Sequence, residues 1–322
     1  MRNFTGFCWL YFIIVLFLDS PPVAVCQQFR SQQAGFFITV NGIENPYEIV
    51  TVFVLPNEQL KIKVKKNKTT DEFRLYSPEG KIIPAASGHR KWRVPSQAGL
   101  YQLKMASVNH QRSTTLNVFV MVPFSRLAGE YLNGYRIGRY PQIALKGLAI
   151  YKPPRGFVEV TPQNENTLIS PHFKLKQFLC KQSGGYPKYL VLQEKLLLKL
   201  ELILGEVNEK GYRCDTFHVM SGYRTPYYNK AIGNVTYSRH IYGGASDIFI
   251  DENPKDDTMD DLNQDGKIDY KDAAGLYRII DRLYGKRFYD PFLGGLAWYK
   301  KNSNHGPFVH VDVRGRPTRW GD

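Results

Sequence analysis

The chain has 322 residues, 43% of them hydrophobic and 22% charged, a globular composition with room for about two domains. Its formal net charge of +14 favours anionic partners, and the absence of a basic-aromatic ladder sets nucleic acid aside. The charge is uneven: residues 251–272 hold nine acids against three lysines, a local balance of −6, and an acidic island in a basic chain asks for a cation.

Residues 1–26 read as a signal peptide. Arg2 precedes an apolar run from Phe7 to Leu18, followed by small residues where a signal peptidase would cut. The run is shorter than the roughly 20 residues a spanning helix needs. Cys26 keeps a lipid-modified terminus open as an alternative. The expectation is therefore export to the periplasm, the cell envelope or the medium, where a basic protein meets an anionic wall or envelope surface. Cleavage would leave Cys180 and Cys214 as the only thiols, either bridged or merely buried.

Between residues 27 and 122 short alternating runs such as "FFITVNG", "QLKIKVKK" and "TTLNVFVMV" are broken by turn signals and show no helical period. This predicts a small antiparallel β-sandwich of immunoglobulin-like type, in which the tyrosine of "AGLYQLKM" would pin a corner. Residues 123–167, rich in Gly, Pro and Tyr, read as an irregular connector. Residues 168–322 form a second, α+β domain. It holds one long buried helix over Tyr189–Tyr212, strands at "TFHVMSGYR" and "ASDIFID", a helix at "AAGLYRIIDRLYG", and paired strands at "GGLAWYK" and "FVHVDVRG".

The chemistry lies in that second half. In "SRHIYGGASD" His240 precedes a sharp glycine turn and Asp247 sits on the strand that leaves it. Imidazole nitrogen and carboxylate oxygen both suit zinc, and a catalytic zinc takes three protein ligands. His310 in "GPFVHVDV" is the candidate third. On a strand it shares a face with Phe308 and Asp312, with Val309, Val311 and Val313 on the other. Separately, "DLNQDGKIDYKD" sets Asp261, Asn263, Asp265, Lys267 (through its carbonyl), Asp269 and Asp272 at the oxygen-ligand positions of an EF-hand-type calcium loop, with Gly266 at its turn. Calcium there would order the insert that lies between the second and third zinc ligands.

"SGYRTPYYN", "SRHIYGGASD" and "FVHVD" together resemble the zinc D-alanyl-D-alanine carboxypeptidases and L-alanyl-D-glutamate endopeptidases, which share a core with the Hedgehog signalling domain. Ser238, His240, Gly243, Ala245 and Asp247 match the Ser-x-His-x-x-Gly-x-Ala-x-Asp pattern at every fixed position. The resemblance spans roughly Ser170 to Trp320. It implies a Hedgehog/DD-peptidase-like zinc domain, zinc on His240, Asp247 and His310, and peptidoglycan stem peptides as substrate. Arg224 falls where the family places an arginine near the scissile carbonyl, where a fixed guanidinium can stabilise an oxyanion or orient a carboxylate. The chain departs from the family at the general base: positions 307 and 308 are Pro and Phe. That leaves His305 and Asp312 as the groups that could accept the water's proton, with His305 the expected base and Asp312 its support or the group that orients a ligand. A non-catalytic, metal-stabilised wall-binding module of the same fold is the alternative reading.

Overall fold

The computed structural model describes residues 29–65, 72–86, 89–108 and 111–321; the expected signal peptide lies outside the described residues. Near the N-terminus two five-stranded sheets face each other. One runs in the order Ile43–Tyr47, Gln33–Val40, Gln59–Lys65, His89–Arg93, Ala85–Ala86. The other runs Ile49–Val54, Ser113–Val120, Gly99–Ser107, Phe73–Tyr76, Ile82–Ile83. Every second side chain of Gln33–Val40 is buried, as a strand with one solvated face requires. Phe36, Ile38, Leu60 and Ile62 from the first sheet share a core with Val50, Val52, Leu103, Met105, Leu116 and Val118 from the second. The Tyr101 hydroxyl donates to the Gln97 carbonyl at 3.3 Å, the corner contact expected of this strand entry.

The sandwich is not purely antiparallel. Ile49–Val54 pairs in parallel with Ser113–Val120. The chain passes from the first sheet to the second across Glu48, a single residue between two strands, so it enters the second sheet without a reversing turn.

The connector is built rather than slack. Val122–Pro123 pairs with Gly156–Val160, which pairs in turn with Lys188–Leu190. That last strand corrects the long-helix expectation: the helix, α1, spans Glu194–Glu209, and Tyr189 and Leu190 belong to a sheet. The aromatic and branched residues of "YLVL" suit a strand, and Gln193 leaves it by donating its N–H to the Gly243 carbonyl at 3.0 Å.

A second short helix, α2 (Pro226–Ala231), is capped by Thr225, whose hydroxyl accepts from Tyr228 N. The third, α3 (Tyr270–Asp281), starts with a capping box between Asp269 and Asp272. The C-terminal sheet has the order His218–Ser221, Ala245–Phe249, Phe308–Asp312, Gly295–Tyr299, Thr318–Gly321, antiparallel except for its last pair. Helix α3 packs against it and α1 packs against α3, so Ile248, Val309, Val311 and Leu296 join Leu200, Leu276 and Ile280 in one core. All five residues of Phe308–Asp312 are buried, not only the valine face. Cys180 and Cys214 are free thiols, each buried, which settles the open pairing in favour of no bridge.

Candidate metal centre

The pairing register places Asp247 directly opposite His310 on adjacent strands, and Ser221 opposite Asp247 on the other side. His240 arrives from a 3-10 turn, Arg239–Tyr242, closed by Gly243 in the left-handed region at φ 63°. Any Cβ at Gly243 would lie 2.3 Å from the Val191 carbonyl oxygen, so only glycine lets the turn sit this close to the chain ahead of α1. This packing delivers the histidine to the sheet.

The three side chains converge. His240 Nε2 is 3.3 Å from Asp247 Oδ1 and 3.3 Å from His310 Nδ1, and His310 Nδ1 is 2.8 Å from Asp247 Oδ1. A tetrahedral ion with bonds of about 2.1 Å holds its ligands about 3.4 Å apart, so the two 3.3 Å separations and the donor set fit zinc, while the 2.8 Å contact is a hydrogen bond that an ion would replace. The outer hydrogen bonds also fit. His240 Nδ1 donates to the Gly222 carbonyl at 2.7 Å, which turns the Nε2 lone pair inward. His310 Nε2 faces Asp312 Oδ2 at 3.4 Å, leaving Nδ1 toward the cluster.

Electrostatics follow from burial and pairing. Burial lowers the His240 pKa and favours the neutral, ligating imidazole. Burial works against a charge on His310 as well, but its bonds to Asp247 and Asp312 outweigh that and raise its pKa. Asp247 is held well below the usual carboxylate range despite burial, because His240, His310 and Arg224 surround it. Asp312 is likewise held low against burial by His310 and Arg314.

Arg224 stands at the cluster, but its Nη2 donates to Asp247 Oδ2 at 2.5 Å and its Nε to Ser221 Oγ at 2.7 Å. It holds the carboxylate ligand, and of its guanidinium only Nη1 makes no hydrogen bond among the described residues. Asp312 has no exposed surface. It accepts from Gly295 N at 2.7 Å and Arg314 N at 2.9 Å, and also pairs with the Arg314 guanidinium. Its place is behind His310, so the part of the expectation that made it a proton acceptor is corrected: every face of the carboxylate is occupied. His305 lines the cleft, yet its Nδ1 donates to the Gly306 carbonyl at 2.8 Å and its Nε2 faces Asn302 Nδ2 at 2.8 Å. Among the described cleft residues it is the one histidine or carboxylate outside the triad.

The triad opens into a cleft of ≈ 1250 Å³. One wall is aromatic: Tyr299 stacks on Phe308 at 4.6 Å, and Trp320 Nε1 donates to the Tyr299 hydroxyl at 2.7 Å. Leu145 and Tyr151 of the connector also line the cleft. Arg239 Nη1 donates to Ile150 O at 2.5 Å, and the Tyr140 hydroxyl donates to Ile241 O at 2.9 Å. Phe308, Arg239 and Ile241 lie within the quoted motifs, whereas Tyr299, Leu145, Tyr151 and Trp320 had no motif to announce them, and Arg314 lay two places after Asp312.

The proposed calcium ligands do not converge in the same way. Among the described residues, the histidine, cysteine and carboxylate groups with ligand atoms within 4.8 Å of one another are His240, Asp247, His310 and a second set, His218, Asp251, Asp257. In the loop, Asp261 accepts from Asp265 N and Gly266 N, and Asp265 pairs with Lys271 at 3.0 Å. Asp272 is buried and gives both oxygens to the amides of Leu262, Asn263 and Asp269. As it stands, the loop is closed by its own hydrogen bonds.

Fold and site define a mixed α/β domain carrying a His/Asp/His metal-type cluster. A family profile described as Peptidase M15 matches residues 171–279, which include His240 and Asp247 and end before His310. The match supports a peptidase hydrolase of a zinc-dependent family in this part of the chain. No curated protein matches the chain. Among solved structures, the fibronectin(III)-like modules of Clostridium thermocellum CbhA are similar at 13% identity over 26% of this chain and 94% of theirs, with a TM-score of 0.18. That score is too low to bear on the fold.

Proposed function

We propose that the chain is an exported zinc metallopeptidase that hydrolyses peptide bonds in peptidoglycan stem peptides, as a D-Ala-D-Ala carboxypeptidase or an endopeptidase. The observation that carries the reading is the convergence of His240, Asp247 and His310 at zinc-ligand spacing in an open cleft. Zinc held there would supply Lewis acidity toward the scissile carbonyl and the attacking water. Arg224 fixes Asp247 and offers Nη1 to the oxygen that gains charge. Asp312 orients His310. His305 takes the water's proton once the Asn302 amide yields its Nε2. The net charge of +14 suits an anionic envelope, to which residues 1–26 would direct the chain. Calcium at residues 261–272 belongs to the same proposal on sequence spacing.

One observation favours a second reading, a metal-stabilised wall-binding module: the candidate base is capped by an amide and Asp312 is sealed. Mass spectrometry of defined muropeptides, incubated with the zinc-loaded chain or its His310→Ala variant, decides between them. A product formed only by the intact site supports the peptidase, and its mass identifies the bond. Stoichiometric zinc with no product supports the module.

A further inference from the structure

A second histidine-carboxylate group lies on the same sheet as the first. His218 Nδ1 is 3.4 Å from Asp251 Oδ2 and 3.4 Å from Asp257 Oδ1. His218 opens the edge strand, and its ring is stacked on Phe249, its partner across the ladder, at 4.4 Å and 8°. Asp251 lies two residues beyond Phe249, where the acidic insert begins. Its carboxylate is steadied by amides, Oδ1 accepting from Asp256 N at 3.0 Å and Oδ2 from Asp257 N at 3.2 Å.

The distances argue against a plain ion pair. A charged histidine donating to a carboxylate closes to about 2.7–2.9 Å. Elsewhere in this chain histidine–carboxylate pairs close to that range: His172 Nδ1 and Glu201 Oε2 meet at 2.7 Å, and His310 Nδ1 and Asp247 Oδ1 at 2.8 Å. His218 makes no hydrogen bond to either acid, although both face its nitrogen. Two separations of 3.4 Å match instead the edge of a tetrahedron with bonds of about 2.1 Å. The surrounding segment, residues 251–272, carries the −6 balance that the calcium loop by itself leaves unexplained.

We propose that His218, Asp251 and Asp257 form a second metal site, distinct from the triad, for a first-row divalent ion such as zinc. One imidazole nitrogen with two carboxylates is a donor set for zinc or nickel rather than for calcium, which takes six to eight oxygens. Asp257, with an 89% exposed side chain, leaves the remaining positions to water. The site's role is structural: it ties the root of the acidic insert to the two strands that carry Ser221 and Asp247.

The test is the zinc stoichiometry of the full chain, by isothermal titration and by metal analysis after gel filtration, with zinc alone and with zinc in excess calcium. The wild type should bind two equivalents. His218→Ala should bind one and keep any hydrolytic activity, His310→Ala one, and the double variant none. Should His218→Ala fold poorly, Asp257→Asn removes a ligand from an exposed position and should weaken the second equivalent at least tenfold. The proposal is overturned by one equivalent in the wild type that His218→Ala retains, by two in both His218→Ala and Asp257→Asn, or by calcium displacing the second zinc; one equivalent lost in His218→Ala and kept in His310→Ala would instead place the ion at the second site and leave the triad empty. None of these readouts requires the chain to be a peptidase, so failure of the proposed activity leaves the test intact.

Discussion

Lys199 has no exposed surface, and its ammonium donates to the Asp312 carbonyl at 2.7 Å and the Tyr284 hydroxyl at 3.3 Å. The rings of Tyr284 and Tyr289 lie 5.5 and 5.4 Å away. Burial pulls its pKa from 10.5 down to about 7, with Asp312 resisting and Arg314 assisting. Because the folded value is the lower one, stability linked to the neutral lysine is complete above the unfolded value and is lost as pH falls toward 7. Lys199→Met should therefore be more stable than the wild type at pH 6, by about 1–3 kcal/mol. The advantage should shrink between pH 7 and pH 10 as the wild type sheds its proton, leaving the variant short of one hydrogen bond. Urea melts across that range give the result, and parallel pH curves for the two proteins would mean that Lys199 stays charged in the fold. At this scale the sequence was legible where chemistry repeats at fixed spacing, as in His240, Asp247 and His310. It was silent on Lys199 and Trp320, whose roles arise only from contacts made across the sheet.

The insert shows how an element can follow its pattern and still hold its side chains differently. Asp269 and Asp272 stand at calcium-ligand positions of the sequence yet form the capping box of α3, because a carboxylate at a helix start finds free amides beside it. Calcium would have to draw Asp265 away from Lys271, an exposed pair worth little in water. If the loop binds calcium, about 1 mM of the ion should raise the melting temperature by several degrees, EGTA should reverse the gain, and Asp265→Ala should abolish it. An unchanged melt in the wild type would leave the loop as a capped turn. Elsewhere at this scale, the sequence expectation of a helix from Tyr189 covers Tyr189 and Leu190 of the strand Lys188–Leu190, since a short apolar run does not declare its period. The final strand, Thr318–Gly321, was missed for the same reason: four residues with Trp320 as their one large apolar side chain carry too little pattern.

Across the whole molecule, the boundary expected at residue 122 is crossed by packing. Phe53 and Phe119 belong to sandwich strands, yet they share a core cluster with the connector and α1 and not with the rest of the sandwich interior. Polar contacts reinforce the join: Phe53 N donates to Glu194 Oε1 at 3.0 Å, Asn117 Nδ2 to the Leu168 carbonyl at 2.8 Å, and His172 Nε2 meets Arg30 O at 3.0 Å. A composition shift could mark the change from alternating strands to Gly- and Pro-rich chain, but not which strand residues face across it, because inward and outward apolar positions look alike in sequence. Since strands of the sandwich also line that shared core, the two halves should unfold together. Calorimetry of the full chain should show a single endotherm whose calorimetric and van't Hoff enthalpies agree. Phe119→Ala, at a position 1% exposed, should move that endotherm down as a unit, at a cost of about 3–5 kcal/mol. Two endotherms, with only the sandwich transition shifted by Phe119→Ala, would restore the picture of a spacer linked to an independent domain. A single shifted endotherm would make the sandwich a structural part of the cleft, because the connector that forms the wall at Leu145 and Tyr151 is anchored between the two halves.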